Sequence, residues 1–297
     1  MNSNKTIGKI STPSKINLFL RITGKRADGY HEIETIFLPL SEPADIITIS
    51  KSKKDGIEIL SNSDQIPLNE KNICFKAAAE FAKLAEITPN WKIHIEKNIP
   101  VAAGLGGGSS DAAAVLKILN NNLKKVEDSD LKKLAANLGA DVPFFLAPLP
   151  STANGIGEKL TPININQNLH ILLVNPYFPI SAKWAYQQFA NSKKTLTENR
   201  NNNDLKNLIA ILNSNSLSQF PKYITNDLAP AVYEKFPIME TMTEQMNSSG
   251  ALTVGMSGSG STIFAICESR NAVANLAEKI DSIWGDAVKI IPGRVEV

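Results

Sequence analysis

The chain has 297 residues, 43% hydrophobic and 20% charged, with a formal charge of +2 at neutral pH. This is the composition of a globular protein long enough to bury two cores. It excludes a membrane-spanning protein, a disulfide scaffold and a strongly basic nucleic-acid binder, so any anion site must be local.

The opening segment, Met1 to Ile10, is polar and has no apolar h-region, which predicts a cytoplasmic protein. In Pro13 to Ile22, the residues Ile16, Leu18, Leu20 and Ile22 alternate with Lys15, Asn17, Phe19 and Arg21. The pattern predicts a half-buried strand that projects Lys15 and Asn17 from one face, about 7 Å apart. A merely solvated strand face is the alternative. The polar loop Gly24 to His31 carries an Asp-Gly turn signal, then Tyr30 and His31. Together these offer a flat stacking surface and a donor/acceptor edge suited to a base, unless Tyr30 only closes the loop onto the core. Strands are predicted over Ile33–Leu40, Ile46–Ser50 and Ile57–Leu60. Asn72 caps a predicted helix with an apolar stripe of Ile73, Ala77, Phe81 and Leu84. Trp91, Ile93 and Ile95 then alternate as a strand, with His94 on its solvated face. Lys97, an exposed cation before the next segment, could balance phosphate charge.

That segment, Pro100-Val-Ala-Ala-Gly-Leu-Gly-Gly-Gly-Ser-Ser-Asp111, organises the chain. Gly104, Gly106, Gly107 and Gly108 allow positive φ and close approach of backbone to a ligand. Ser109 or Ser110 is expected to cap a helix buried along Ala112, Val115, Leu116, Leu119 and Leu123, leaving an N-terminus suited to nucleotide phosphates. Two better-known glycine loops fit badly. A Walker loop needs Lys-Ser/Thr after its last glycine, and a dinucleotide fingerprint needs Gly or Ala where Ser109 stands. A Gly-rich turn joining strand to helix is the plain alternative.

Ser129 starts a further predicted helix with Leu131, Leu134, Ala135 and Leu138, ending at Gly139. Asp141 follows among apolar neighbours, where its charge requires a partner. With a cation such as Lys15 it would suit a phosphotransferase base; capping a short turn at Val142–Phe145 is the local alternative. The Gly/Pro-broken stretch Asn154 to Pro162 suggests a boundary, giving domains 1–160 and 161–297. Beyond it, His170–Val174 reads as a strand and Ala182–Phe189 as a helix. Glu198 to Asn203 reads as an Asn-rich loop. Ala251–Val254 and Thr262–Cys267 read as strands joined by Gly255-Met-Ser-Gly-Ser-Gly260, whose hydroxyls and amides could contact a polyphosphate. A helix carrying Val273, Leu276 and Ile280 then leads to a strand at Ala287–Ile291, in the order of a split βαβ sandwich. Cys74 and Cys267 are expected as buried thiols.

Taken together, Pro13–Leu20, Pro100–Ser110 and Gly255–Gly260 resemble the three signature segments of the GHMP kinases, and the resemblance covers nearly the whole chain. It implies an α+β, two-domain GHMP kinase fold, with an N-terminal ribosomal-protein-S5-like domain that binds ATP and a C-terminal ferredoxin-like domain that binds substrate. The segments Arg-Ala-Asp-Gly-Tyr-His and Gly-Ala-Asp-Val-Pro narrow it to a branch acting on a cytidine-diphosphate-linked methylerythritol, phosphorylated at its 2-hydroxyl. By the resemblance, Asp141 is the base and Lys15 its electrostatic partner. Asn17, Tyr30, His31 and Tyr186 bind the substrate, with the cytosine between the Tyr30 and Tyr186 rings and His31 at its edge. Asn72, Lys97, Pro100, Val101, Ala102, Ala103, Gly104, Leu105, Gly106, Gly107, Gly108, Ser109, Ser110 and Gly258 bind ATP. Asn226–Leu228 lies beside the substrate. The chain departs from the pattern at Ala182, where a hydroxyl residue is common, and at Val101–Ala103, where relatives carry more glycine. No protein metal ligand is implied: Mg²⁺ would ride on ATP phosphates and water. The expected partner is a small molecule, with no nucleic acid and no membrane, in a monomer or weak homodimer.

Overall fold

A computed structural model describes residues 5–191, 203–214 and 217–295. Its elements in order are β1 (Thr6–Lys25), β2 (His31–Lys51), β3 (Gly56–Ser61), α1 (Ile73–Leu84), β4 (Asn90–Glu96), α2 (Gly107–Leu123), α3 (Asp128–Leu138) and α4 (Val142–Leu146). There follow β5 (Ser151–Asn154), β6 (Lys159–Pro162), β7 (His170–Asn175), α5 (Ala182–Asn191), α6 (Asp204–Asn213), β8 (Thr225–Asn226), α7 (Ala229–Lys235), α8 (Pro237–Ser248), β9 (Thr253–Met256), β10 (Ile263–Cys267), α9 (Arg270–Trp284) and β11 (Lys289–Val295). No helix among the described residues is long and apolar enough to cross a membrane.

The chain forms two compact units, each assembled from separated pieces. The first comprises residues 1–14, 43–101 and 106–148; the second, residues 15–42, 102–105 and 149–297. The expected boundary at residue 160 does not coincide with their edges. Asn154–Pro162 is instead the tip and returning strand of the β5–β6 hairpin, and β5 pairs with β2 through Thr35, Ile36 and Phe37. Strands β1 and β2, at 20 and 21 residues, each contribute to both units, so the division falls inside them.

In the first unit β4 is the central strand, parallel to β3 and antiparallel to β2. Ile93 and Ile95 alternate inward while His94 faces solvent, as period 2 dictates. Helix α2 packs against α1, α3 and α4. It is buried on more than a stripe: every residue from Ser110 to Leu116 is enclosed, a run in which three consecutive alanines leave room for neighbours on several sides. Helix α1 buries Cys74, Ala77, Ala78, Phe81 and Ala82, with Phe81 edge-on to Trp91. Its buried stripe is centred on Cys74, Ala78 and Phe81, so it is rotated from the expected one and Leu84 is exposed.

The second unit carries the strand order β2-β11-β7-β10-β9, with every pair antiparallel. The strands β7, β9, β10 and β11 lie in the sheet order β11-β7-β10-β9, the expected ferredoxin-like arrangement, with α8 and α9 as its two crossover helices and α5, α6, β8 and α7 inserted in the first crossover. Helices α8 and α9 cover it with Met239, Met242, Met246, Val273, Leu276 and Ile280. Two cysteines, Cys74 and Cys267, are free and buried; burial raises both thiols, Cys267 to about 11. Of the predicted Asn-rich loop, residues 198–202 lie outside the described residues, and Asn203 precedes α6.

Candidate active site

Strand β1 is not half-buried. Residues Lys15 to Ile22 are all enclosed, because β2 lies alongside with Thr35 and Phe37 covering the polar side. Lys15 and Asn17 do share a face: Lys15 Nζ donates to Asn17 Oδ1 at 2.6 Å and lies 4.9 Å from the Phe37 ring centroid. Asn17 Nδ2 donates to Thr35 Oγ1 at 2.8 Å, and that hydroxyl donates to the Phe19 carbonyl at 2.5 Å. A solvated strand face is therefore overturned. Thr35 was not anticipated, and its only signal is a hydroxyl within an apolar run.

The loop before β2 holds its own shape. Arg26 N donates to Tyr30 O, Gly29 takes φ +88°, and the Asp28 carboxylate accepts the Tyr30 N–H at 3.1 Å while pairing with the Arg26 guanidinium. The Tyr30 amide bond, followed by the Arg26 charge, keeps the Asp28 carboxyl below its usual range. Tyr30 is 59% exposed, so it does not close the loop onto the core. The ring stacked on Tyr186 is His31, with centroids 5.5 Å apart at 21°, and Phe189 meets His31 edge-on. Burial, then the nearby Lys25 charge, lowers the His31 pKa.

The glycine loop is divided: residues 102–105 belong to the second unit. All four of their carbonyls are engaged there. Ala102 O accepts from Ile180 N, Ala103 O from Thr262 N, Gly104 O from Ser257 Oγ at 2.9 Å, and Leu105 O from Lys15 N. No N–H of these residues donates to another group among the described residues. A peptide with its carbonyl tied inward turns its N–H the other way, and successive amides so turned make an anion nest. Gly104 has φ +78°, and a Cβ there would overlap the Ser257 carbonyl oxygen. Ala102 adopts φ +53°, in the left-handed region that favours glycine; the Ile180 bond fixes its peptide.

The turn Gly255–Gly260 is held from two sides. Asn226 Nδ2 donates to Met256 O and Gly258 O, each at 2.7 Å, and Ser257 Oγ also accepts from Asn17 N at 3.3 Å. Ser257 Oγ thus bonds two protein groups, Gly104 O and Asn17 N. Gly258 takes φ +54° with Gly104 O and Asn17 Oδ1 close by.

In the first unit the helix cap differs from expectation. Gly106 is the N-cap of α2, with φ +72° and no side-chain cap bond, and Ser109 and Ser110 lie within the helix. Gly107 and Gly108 open it. Ser110 Oγ instead reaches Pro13 O and Thr12 Oγ1, both at 2.6 Å, tying α2 to β1. Asn72 caps α1 as expected: its Oδ1 accepts from Cys74 N, and its Nδ2 donates to Pro67 O. Pro100 leads into a turn at Val101 and Ala102, and the division falls within that turn. Asp141 stands at the N-cap position of α4 without a side-chain cap bond, and Val142, Phe144 and Phe145 behind it are buried.

Lys97 is not the exposed cation expected. Its ammonium is enclosed by the Asp45 and Asp111 carboxylates, the latter at 2.8 Å, and all three side chains are at most 5% exposed. Burial would lower the lysine, but the charges of Asp111 and Asp45 outweigh it and raise it. Of these acids the sequence marks Asp45, a carboxylate between Ala44 and Ile46, while Asp111 follows two serines and carries no such signal.

Family models for the GHMP kinases N-terminal and C-terminal domains match residues 72–147 and 195–286. The chain is 39% identical over 280 residues to the 4-diphosphocytidyl-2-C-methyl-D-erythritol kinase of Lawsonia intracellularis, covering 91% of each. It is 40% identical over 257 residues to the same-named protein of Clostridium kluyveri, covering 86% of this chain and 89% of that one. A solved 4-(cytidine 5'-diphospho)-2C-methyl-D-erythritol kinase superposes with a TM-score of 0.77 at 28% identity, covering 98% and 100% of the two chains. A homoserine kinase from Cytophaga hutchinsonii superposes at 0.74 with 18% identity, covering 99% and 97%, which shows a shared fold alone.

Proposed function

The chain belongs to the 4-diphosphocytidyl-2-C-methyl-D-erythritol kinase family of GHMP kinases, and from that premise we propose that it phosphorylates the 2-hydroxyl of 4-(cytidine 5'-diphospho)-2-C-methyl-D-erythritol with ATP, in the non-mevalonate route to isoprenoids. It is a small-molecule kinase. The observation that carries the nucleotide half of this reading is the 102–105 backbone, whose four carbonyls are spent on the protein so that its amides suit phosphate oxygens. Around that segment, Pro100, Val101 and Gly106 to Ser110 would wrap the phosphates, with the N-terminus of α2 adding its dipole. Gly258 would face them, and Asn72 and Lys97 would lie near the adenosine.

The transfer is in-line. The substrate oxygen forms a bond to the γ-phosphorus as the bond from that phosphorus to the β,γ-bridging oxygen breaks. Asp141 would accept the hydroxyl proton, and Lys15 would keep Asp141 ionised and offset charge on the moving group. Asn17, held to Lys15 and Thr35, would orient the substrate. Tyr30, His31 and Tyr186 would hold the cytosine; the His31–Tyr186 stack supports a base platform on that pair, with Tyr30 exposed to close over it. Mg²⁺ would arrive on the nucleotide, held mainly by its phosphates and water, where it would neutralise phosphate charge.

The test is ATP consumption by the purified protein with the cytidylyl substrate and, separately, with mevalonate and homoserine. Turnover with the cytidylyl compound alone is expected. Turnover with another alcohol would overturn the base pocket, and none with any would overturn the assignment.

A further inference from the structure

Within the first unit, the glycine loop has two limbs: an entering one, Lys97–Ile99, and the first turns of α2. Asp45 holds the entering limb, and Lys97 carries it across to α2. Asp45 Oδ1 accepts the Asn98 and Ile99 amides at 2.6 and 2.9 Å, and its Oδ2 meets the Lys97 ammonium. That ammonium bonds Asp111 on α2 at 2.8 Å and comes so close to Gly107 that a Cβ there would stand 3.2 Å from it. Ile99 presses on Gly107 from the same side. The second oxygen of Asp111, Oδ1, is buried with no hydrogen-bond partner among the described residues.

We propose that Asp45, Lys97 and Asp111 are positioning residues of the nucleotide site, a charged clip that closes the base of the glycine loop and holds its two limbs at the spacing the phosphates need. The inference rests on the kinase reading above. Two carboxylates share one ammonium away from water, so the cluster carries a net negative charge beneath an anion site unless one acid keeps its proton. Asp111 is the acid that keeps it: its unpartnered Oδ1 would be costly on a carboxylate and far less so on a neutral acid. Consistent with this, burial pushes Asp111 up to about 8, against the Lys97 charge and with that of Asp45. The other titratable group on the cluster, Cys74 of α1, is itself raised well above its ordinary value and stays a thiol through that range. At neutral pH the clip is therefore uncharged overall, and it turns anionic as Asp111 ionises.

The test is the KM for ATP and kcat across pH 6.5 to 9.5, measured with the cytidylyl substrate. In the unmodified protein, KM for ATP should rise roughly three- to tenfold as pH passes 8, with kcat changing less, because one added negative charge repels the nucleotide. Asp111→Asn, permanently neutral and the same shape, should lose that rise. Lys97→Met should raise KM for ATP at pH 7 by about tenfold or more, with partial recovery in Lys97→Arg. An alkaline rise that persists unchanged in Asp111→Asn overturns the proposal, even if Lys97→Met fails to fold. If the unmodified protein does not turn over at all, the kinase reading has failed, and the clip with it.

Discussion

Replacing Gly104 by alanine tests whether the loop backbone is as tightly bracketed as its hydrogen bonds imply. Two costs add. The residue sits at φ +78°, where a Cβ costs about 1–2 kcal/mol. That Cβ would also overlap the Ser257 carbonyl oxygen and stand 3.0 Å from Gly260 O. Neither neighbour can retreat freely. Ser257 O accepts from Gly260 N at 2.9 Å, and Ser257 Oγ holds Gly104 O at 2.9 Å, so relief requires breaking one of these bonds. A buried polar group left unpaired costs about 1–3 kcal/mol, for a sum of roughly 2–5 kcal/mol. Gly29→Ala is the matched control: φ is +88° and an added Cβ meets nothing within 4 Å, so only the backbone cost of about 1–2 kcal/mol applies. Urea unfolding of both variants, compared at equal m, reads the difference directly. Equal destabilisation of the two would refute the bracket, as would a Gly104→Ala cost below about 1 kcal/mol.

Three other outcomes follow from the roles assigned above. Asp141→Asn should lower kcat by about 10²- to 10⁴-fold with little change in KM for ATP; near-normal turnover would remove Asp141 from the chemistry. Tyr30→Ala should raise KM for the cytidylyl substrate roughly 5- to 150-fold, the worth of one stacked base, and an unaltered KM would put the base elsewhere. Asp111, raised from 3.8 to about 8, releases its proton later in the folded chain than in the unfolded one. Stability should therefore decline as pH climbs through that window, by at most about 1.4 kcal/mol per unit, and urea midpoints that decline equally in Asp111→Asn would show that other groups are responsible.

Much of this was legible in the sequence where a pattern is local. The alternation of Trp91, Ile93 and Ile95 located β4, and Asn72 marked the start of α1 through a bond made two residues away. The order of strands and helices after His170 sufficed for the ferredoxin-like sheet. What escaped depends on groups distant in sequence. Period 2 predicts one wet face for β1, but Thr35 and Phe37 of a neighbouring strand dry it, and nothing near Lys15 reports that. Ser109 and Ser110 look like helix caps by residue type, yet Gly106 takes the cap position, three residues before Ser109, because its positive φ ends the helix there. The bond from Ser257 to Gly104, 153 residues away, has no local signal. Lys97 reads as exposed because its two acids lie on other elements.

The place of β11 in the sheet of the second unit has a consequence for how that unit assembles. This strand lies between β2 and β7, pairing Leu40 with Val295 on one side and the whole of β7 on the other. The β9–β10 hairpin can form from neighbouring residues, and β7 can join it, but β2 has no route into the ladder until residues 289–295 arrive. Closing so long a loop is slow, since its entropy is lost before any pairing rewards it. Until then two strands present open edges to other chains, as sites for aggregation or chaperone capture. A version lacking β11 would expose two unsatisfied ladders at once, and it would fail by association more than by simple loss of stability.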